Sequence, residues 1–217
     1  MDSYTEIKSK LKPLYEINKL RIFAELLFTG ITAWGGYIYS VSSEAPIHTV
    51  IGLFISAVFT FRGISFIHEV AHFDGKLKWF SPLYNLLFGV PNRVPAYTLK
   101  THRHHHNIRT YAGKKDPEYD EWTAKPKWYL LRPLLFSFFY PVFQIFRFGI
   151  LPLALLMSPE KISLWTYRKV STVVMNLTYE RPFSEKEYQM MKLQDLLSAL
   201  YFVIFSGVTL YLNVFNK

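Results

Sequence analysis

Six of the seven histidines in this chain form two short clusters of side chains that could bind a metal ion. The clusters are His68-Glu69-Val70-Ala71-His72 and His102-Arg103-His104-His105-His106, and each follows a long apolar stretch. Imidazole nitrogens suit iron, zinc and copper. Because the chain has no cysteine, a metal would be held by histidine, carboxylate or amide groups. The two clusters therefore predict a metal site beside a membrane.

The first cluster has the spacing of two ligands on one helical face. His68 and His72 are four residues apart, so a continuous helix places their imidazoles one turn apart on the same side. The same five residues also spell H-E-x-x-H, in which two histidines bind zinc and the glutamate, here Glu69, acts as a base. A zinc protease needs a further protein ligand downstream. From these residues alone, zinc and iron both remain open.

The second cluster can be read as H-x-x-H-H, formed by His102, His105 and His106, with His104 as an additional histidine. In a helix, His102 and His106 are neighbours on one face and His105 lies beside them. Three ligands could then converge on a small volume. The alternative is a basic, solvated turn that touches lipid headgroups or RNA, although tracts this rich in histidine usually indicate a metal.

Apolar stretches of about 20 residues, the length that crosses a bilayer core, supply the elements that must position these clusters. They cover residues 22–41, 47–67 and 196–215. We therefore predict an all-α integral membrane protein with a transmembrane helical hairpin, interfacial helices near residues 78–94 and a C-terminal transmembrane helix. Residues 128–157 are apolar but contain prolines and charges, and fit either a re-entrant pair of half-helices or a distorted hairpin.

The net charge of +9 is distributed as in a membrane protein. Residues 42–46, between the first two apolar stretches, contain no lysine or arginine, whereas residues 1–21 contain five and residues 73–127 contain ten. Lysine and arginine accumulate on the cytoplasmic side of membranes. We therefore predict that the N-terminus and both histidine clusters face the cytoplasm, and we expect no nucleic-acid partner.

The combination of motifs resembles the membrane fatty acid desaturase superfamily, and in particular a bacterial branch of fatty acid desaturase-like proteins. The resemblance covers roughly residues 20–215, and we expect residues 1–217 to form a single domain. The matching segments are residues 66–72, 84–91, 102–106, 111–113, 116–119 and 147–153.

This resemblance implies a non-haem diiron enzyme that uses O2 and electrons to oxidise an unactivated C–H bond of a membrane lipid or fatty acyl chain. Loss of two hydrogens gives a double bond, and insertion of oxygen gives a hydroxyl. The implied electron donor is a ferredoxin or a cytochrome-type protein. A hydroxylase or ketolase of the same superfamily is the alternative within this chemistry.

The resemblance also assigns the two irons their ligands by position. His68 and His72 match the first histidine box, and His102, His105 and His106 match the second. His104 matches no ligand position and receives a supporting role. Asp116 is expected to orient a ligand imidazole through its free N–H. Glu69 has no role in this chemistry.

The family pattern also has a third histidine box, and this chain has no histidine after His106. We therefore expect a C-terminally truncated desaturase-like domain that does not desaturate lipids alone. A second polypeptide that supplies the remaining ligands, or a protein that is no longer catalytic, are the other possibilities.

Overall fold

The structure is a computed structural model, and every regular element in its described part is helical. This confirms the all-α prediction. Some predicted features, including the lysines at positions 8, 10 and 12 and the middle residue of the 111–113 motif, lie outside the described residues. The described residues are 18–73, 75–107, 109–111, 113, 115–119, 126–170 and 179–215.

The first two helices form the predicted hairpin. Helix α1 spans Lys19–Val41 and helix α2 spans Pro46–Phe73. Their backbones approach closely where both helices carry small residues: a Cβ added to Gly36 would lie 2.9 Å from the backbone nitrogen of Ser56. Small residues of this kind let two membrane helices pack at short range.

Three helical segments of the described chain are long and apolar enough to cross a membrane: Pro46–Phe73, Ser137–Leu156 and Glu185–Val208. Many of their large apolar side chains point outward, as Phe61 on α2 does at 76% exposure. Outward apolar side chains on helices of this length face lipid. Helix α1, which carries Glu25, is not among the three.

The aromatic segment after α2 folds back against the hairpin. Helix α3 covers Phe80–Tyr84 and continues into a π turn over Asn85–Gly89. Its aromatic side chains are buried against α1 and α2. A 3-10 turn at Ala96–Leu99 and the short helix α4, His102–His105, follow. The segment therefore carries the second histidine cluster back towards the end of α2.

The segment that the sequence left undecided is one helical stretch rather than a hairpin. A 3-10 turn at Lys127–Leu130 leads into α5, Leu131–Gln144, which continues through a π turn at Ile145–Ile150 into α6, Leu151–Leu156. The buried residues of the π turn include Arg147.

The C-terminal helix begins earlier than its apolar stretch. Helix α7 spans Glu160–Lys169, and α8 spans Glu185–Phe215. The first turn of α8 has a capping box, because the Ser184 backbone N–H donates to Glu187 Oε2 at 2.8 Å. The turns before residue 196 are amphipathic, since Tyr188 and Met191 are buried in a core shared with α6 and α7. Hydropathy alone therefore placed the start of this helix too late.

Candidate metal centre

Four histidines from the two clusters meet at the end of α2. His68, His72, His102 and His106 each present a nitrogen, and these four nitrogens all lie within 4.8 Å of one another. The Nε2 atoms of His68 and His72 are 3.3 Å apart, and those of His102 and His106 are 2.8 Å apart. Each pair has the predicted i,i+4 spacing.

The last turns of α2 hold the first pair in place. The helix continues without interruption to Phe73, as the prediction required. Ile67 and Val70 are buried in a core shared with α1 and α3, and Ala71 is buried as well, so a different face of the same turns carries His68 and His72. The burial of these three residues therefore sets the direction in which the imidazoles of His68 and His72 point.

A carboxylate from outside both clusters fixes His102. The Nδ1–H of His102 donates to Glu118 Oε1, and the His102 side chain is only 8% exposed. This bond leaves Nε2 facing the other three imidazoles. A carboxylate on the far nitrogen of an imidazole selects the tautomer and raises the basicity of the nitrogen that binds metal.

Sequence reasoning missed Glu118. The residue lies in the 116–119 motif, where only Asp116 was assigned a role. The sequence indicates this role only weakly, because the position of a glutamate near a histidine cluster does not show which imidazole the glutamate contacts. Its own backbone N–H donates to Asp116 Oδ1 at 2.9 Å, so the two carboxylates form one turn.

The structure places His105 outside the group of four. Its Nδ1 lies 3.0 Å from Asp116 Oδ2, and the Asp116 side chain is 1% exposed. The expected contact between Asp116 and a ligand-box imidazole is therefore present. The role of His105 as a ligand stays a prediction, since its ring lies beside the group, with its centroid 5.7 Å from that of His102.

His104 and Glu69 also lie outside the group of four. His104 Nδ1 is 3.1 Å from the hydroxyl of Tyr179, in keeping with a supporting residue. Glu69 Oε1 lies 3.6 Å from His68 Nδ1, and its side chain is 43% exposed. The glutamate of the H-E-x-x-H pattern therefore stands on the side of His68 away from His72.

The electrostatics of the site favour the neutral imidazole of His106. Burial lowers the pKa of His106, and the neighbouring imidazoles of His102, His105 and His68 lower it further. Neutral imidazole is the form that binds a metal ion. Four converging nitrogens, one of them backed by a carboxylate, fit a first-row transition metal, for which imidazole is a preferred ligand.

A buried polar network supports the segment that leads to the second cluster. Arg147 Nη1 pairs with Asp195 Oδ2 at 2.8 Å, and the two side chains are 1% and 0% exposed. The Tyr97 hydroxyl donates to Asp195 and accepts from Arg147 Nη2. Arg181 Nη1 donates to the Tyr97 carbonyl at 2.9 Å. Helix α8 and the π turn are thus tied to the backbone five residues before His102.

Comparisons with known proteins agree with this arrangement. A family model described as fatty acid desaturase matches residues 45–214, which include both histidine clusters. The chain is 28% identical over 162 residues to a ceramide hydroxylase of Caulobacter vibrioides (strain NA1000 / CB15N), covering 73% of this chain and 46% of that protein. The chain thus spans about half the length of this curated relative. No solved structure matches it. With most of its length matched by the family model, and with its histidine clusters meeting at the end of a membrane helix, the chain belongs to the fatty acid desaturase family.

Proposed function

We propose that this protein is a non-haem iron, O2-dependent oxidase of membrane lipids. The observation that carries the proposal is the convergence of four imidazoles within 4.8 Å at the end of a helix apolar enough to cross a membrane. A metal at this place is next to both the lipid and the aqueous phase, so a lipid chain and water-soluble reactants can both reach it.

Iron would be held by His68, His72, His102 and His106. Two irons, with His105 as a further ligand, remain our proposal from the family resemblance. When bound, non-haem iron supplies the dioxygen and one-electron chemistry that oxidation of an unactivated C–H bond requires.

The residues of this chain prepare that site in two ways. Glu118 holds the Nδ1–H of His102 and so keeps Nε2 of that ring available. Asp116 accepts from Nδ1 of His105 in the same way. Both carboxylates belong to one short turn, so this turn orients two rings of the second cluster together. Rings held in this manner need little reorganisation when a metal binds.

Between the two outcomes of such chemistry, we propose hydroxylation first and desaturation second. The relative is named a ceramide hydroxylase, which supports a long-chain sphingolipid as the class of substrate. We also propose that the site faces the cytoplasm, where a ferredoxin or cytochrome-type donor is available. The support is the lysine- and arginine-rich segment over residues 73–127, which contains the second cluster.

Metal analysis of the purified protein tests the site without requiring turnover. We expect iron to copurify, and we expect His102→Ala and His106→Ala each to lower the iron content. Arg103→Ala is the matched control, because Arg103 lies between the same histidines and is exposed. Zinc in place of iron, or unchanged iron in both histidine variants, would refute the proposal.

Mass spectrometry of membrane lipids separates the two reactions. Membranes with the protein, O2 and a reducing system should accumulate a lipid that has gained one oxygen if hydroxylation occurs. A lipid that has lost two hydrogens would instead indicate desaturation. Either product should disappear in His102→Ala.

A further inference from the structure

Arg93 has a backbone conformation that arginine seldom adopts. Its φ is +59°, and it is the one residue other than glycine with a positive φ in the described part of the chain. Such left-handed conformations are favoured by glycine and asparagine, and a long side chain there indicates that the surroundings enforce it. Here the Val94 N–H donates to the Gly89 carbonyl at 2.7 Å, and the Tyr84 hydroxyl donates to the Val94 carbonyl at 3.0 Å.

The side chain of Arg93 lines an open cavity of about 180 Å³ that is bordered by α1, α2, α8 and the turn after α3. Its guanidinium carbon lies 4.8 Å from the ring centroid of Phe202. Its Nε is buried and has no hydrogen-bond partner within the described part of the chain. Among the described residues, no carboxylate forms an ion pair with it. The cavity is lined by Ala33, Trp34, Tyr37, Ser56, Thr60, Leu87, Phe88, Pro91, Asn92, Arg93, Tyr201 and Phe205.

The polar lining of this cavity consists of groups that can donate hydrogen bonds. Hydroxyl groups of Tyr37, Ser56, Thr60 and Tyr201 accompany the guanidinium, and no aspartate or glutamate of the described chain lines the cavity. The amide of Asn92 and the indole of Trp34 donate to backbone carbonyls and so stabilise the wall. Donors around an uncompensated cation suit a ligand that is anionic and rich in acceptors.

The cavity lies between membrane-spanning segments. Thr60 belongs to the α2 span and Tyr201 to the α8 span. Thr60 is eight residues before His68, which places this level of α2 about 12 Å along the helix axis from the metal centre. A charged side chain at such depth usually has a partner and a function.

We propose that this cavity binds the oxyanion of a lipid, a carboxylate or a phosphate, through the guanidinium of Arg93. The planar guanidinium can bind an oxyanion with two parallel hydrogen bonds. Leu87, Phe88 and Phe205 provide apolar wall for the adjoining part of the lipid. The unpaired cation, its enforced backbone and the donor-rich lining all point to the same class of ligand.

The test is a titration of the purified full chain in uncharged detergent with short-chain phosphatidic acid. Diacylglycerol of equal chain length and inorganic phosphate serve as the two comparison ligands. Binding is followed by tryptophan fluorescence, to which Trp34 in the cavity wall contributes, and by the midpoint of thermal unfolding. No metal is needed, so the result is independent of the proposed oxidase activity.

Two variants remove the site in different ways. Arg93→Asn removes the cation but keeps a residue that tolerates the left-handed backbone, and should weaken phosphatidic acid binding by about tenfold or more. Thr60→Leu fills the cavity and leaves Arg93 in place, and should weaken binding as well. Lys161→Gln removes an exposed charge on α7 that does not line the cavity, and should leave the affinity unchanged.

The expected result is binding of phosphatidic acid that is stronger than that of both comparison ligands and is lost in the two cavity variants. Equal affinity for diacylglycerol, or unchanged affinity in Arg93→Asn, would assign Arg93 a purely structural role and overturn the proposal. Inorganic phosphate that binds as tightly as the lipid would overturn the lipid as its ligand.

Discussion

Replacement of Glu118 should weaken metal binding although Glu118 is not among the four converging residues. Its carboxylate accepts the Nδ1–H of His102, whose side chain is 8% exposed. Residues that orient a ligand imidazole typically change metal affinity by about 10- to 100-fold when they are replaced. Glu118→Gln keeps an acceptor of the same length and removes the charge, so we expect about tenfold, the lower end of that range. This corresponds to about 1.4 kcal/mol.

Glu118→Ala should have the larger effect, about 100-fold, because His102 is then buried without an acceptor for its Nδ1–H and can rotate. Glu69→Gln is the matched control. Glu69 lies 3.6 Å from Nδ1 of His68, but it is 43% exposed, and water can replace it. We expect less than a twofold change for this variant, since exposed pairs contribute little.

The assay is a competition titration with a chromogenic chelator, performed anaerobically with Fe(II) and repeated with Co(II). Circular dichroism of each variant without metal checks that the helices are intact. Equal affinities for Glu118→Ala and the unchanged protein would refute the reasoning, and so would an equal loss in Glu69→Gln.

Two further pairs of variants give predictions for stability in detergent, measured by thermal or denaturant unfolding. Asp195→Asn should destabilise the protein by about 3–5 kcal/mol, because it leaves the buried Arg147 charge without its partner. Glu25→Gln, which removes a carboxylate from partly exposed ion pairs, should cost less than about 1 kcal/mol. Gly36→Ala should destabilise by about 1–3 kcal/mol, since its Cβ would lie 2.9 Å from a backbone nitrogen of α2. Gly35→Ala, whose Cβ meets nothing within 4 Å, should instead stabilise α1 by about 0.5–1 kcal/mol. Similar changes in stability for the two glycine variants, or for Asp195→Asn and Glu25→Gln, would contradict these assignments.

Local periodicity accounts for what the sequence predicted well. The spacing of His68 and His72, and of His102 and His106, is a property of one helical turn, so it could be recognised without the fold. The same holds for the apolar stretches of α2 and α8, whereas the stretch at residues 22–41 is not among the three helical segments that could cross a membrane. That the two pairs belong to one site required a hypothesis about metal chemistry, and the structure brings them together.

The features that the sequence did not predict depend on contacts between residues that are distant in sequence. Glu118 is 16 residues from His102, and Asp195 is 98 residues from Tyr97. No periodic pattern indicates such pairs. The early start of α8 was missed for a related reason: Tyr188 and Met191 are buried by α6 and α7, whereas their neighbours in sequence are polar.

The Arg147–Asp195 pair links the C-terminal helix to Tyr97, which precedes the second histidine cluster. A buried ion pair is seldom more stable than a well-packed apolar contact, so stability alone does not explain it. The geometry of the pair explains its presence, because the pair holds the Tyr97 hydroxyl in place. In addition, Gln194 accepts from the Tyr97 N–H, and Arg181 donates to the Tyr97 carbonyl. Tyr97 is thereby fixed at both its backbone and its hydroxyl, five residues before His102. We infer that α8 fixes the approach of the second histidine cluster to the first.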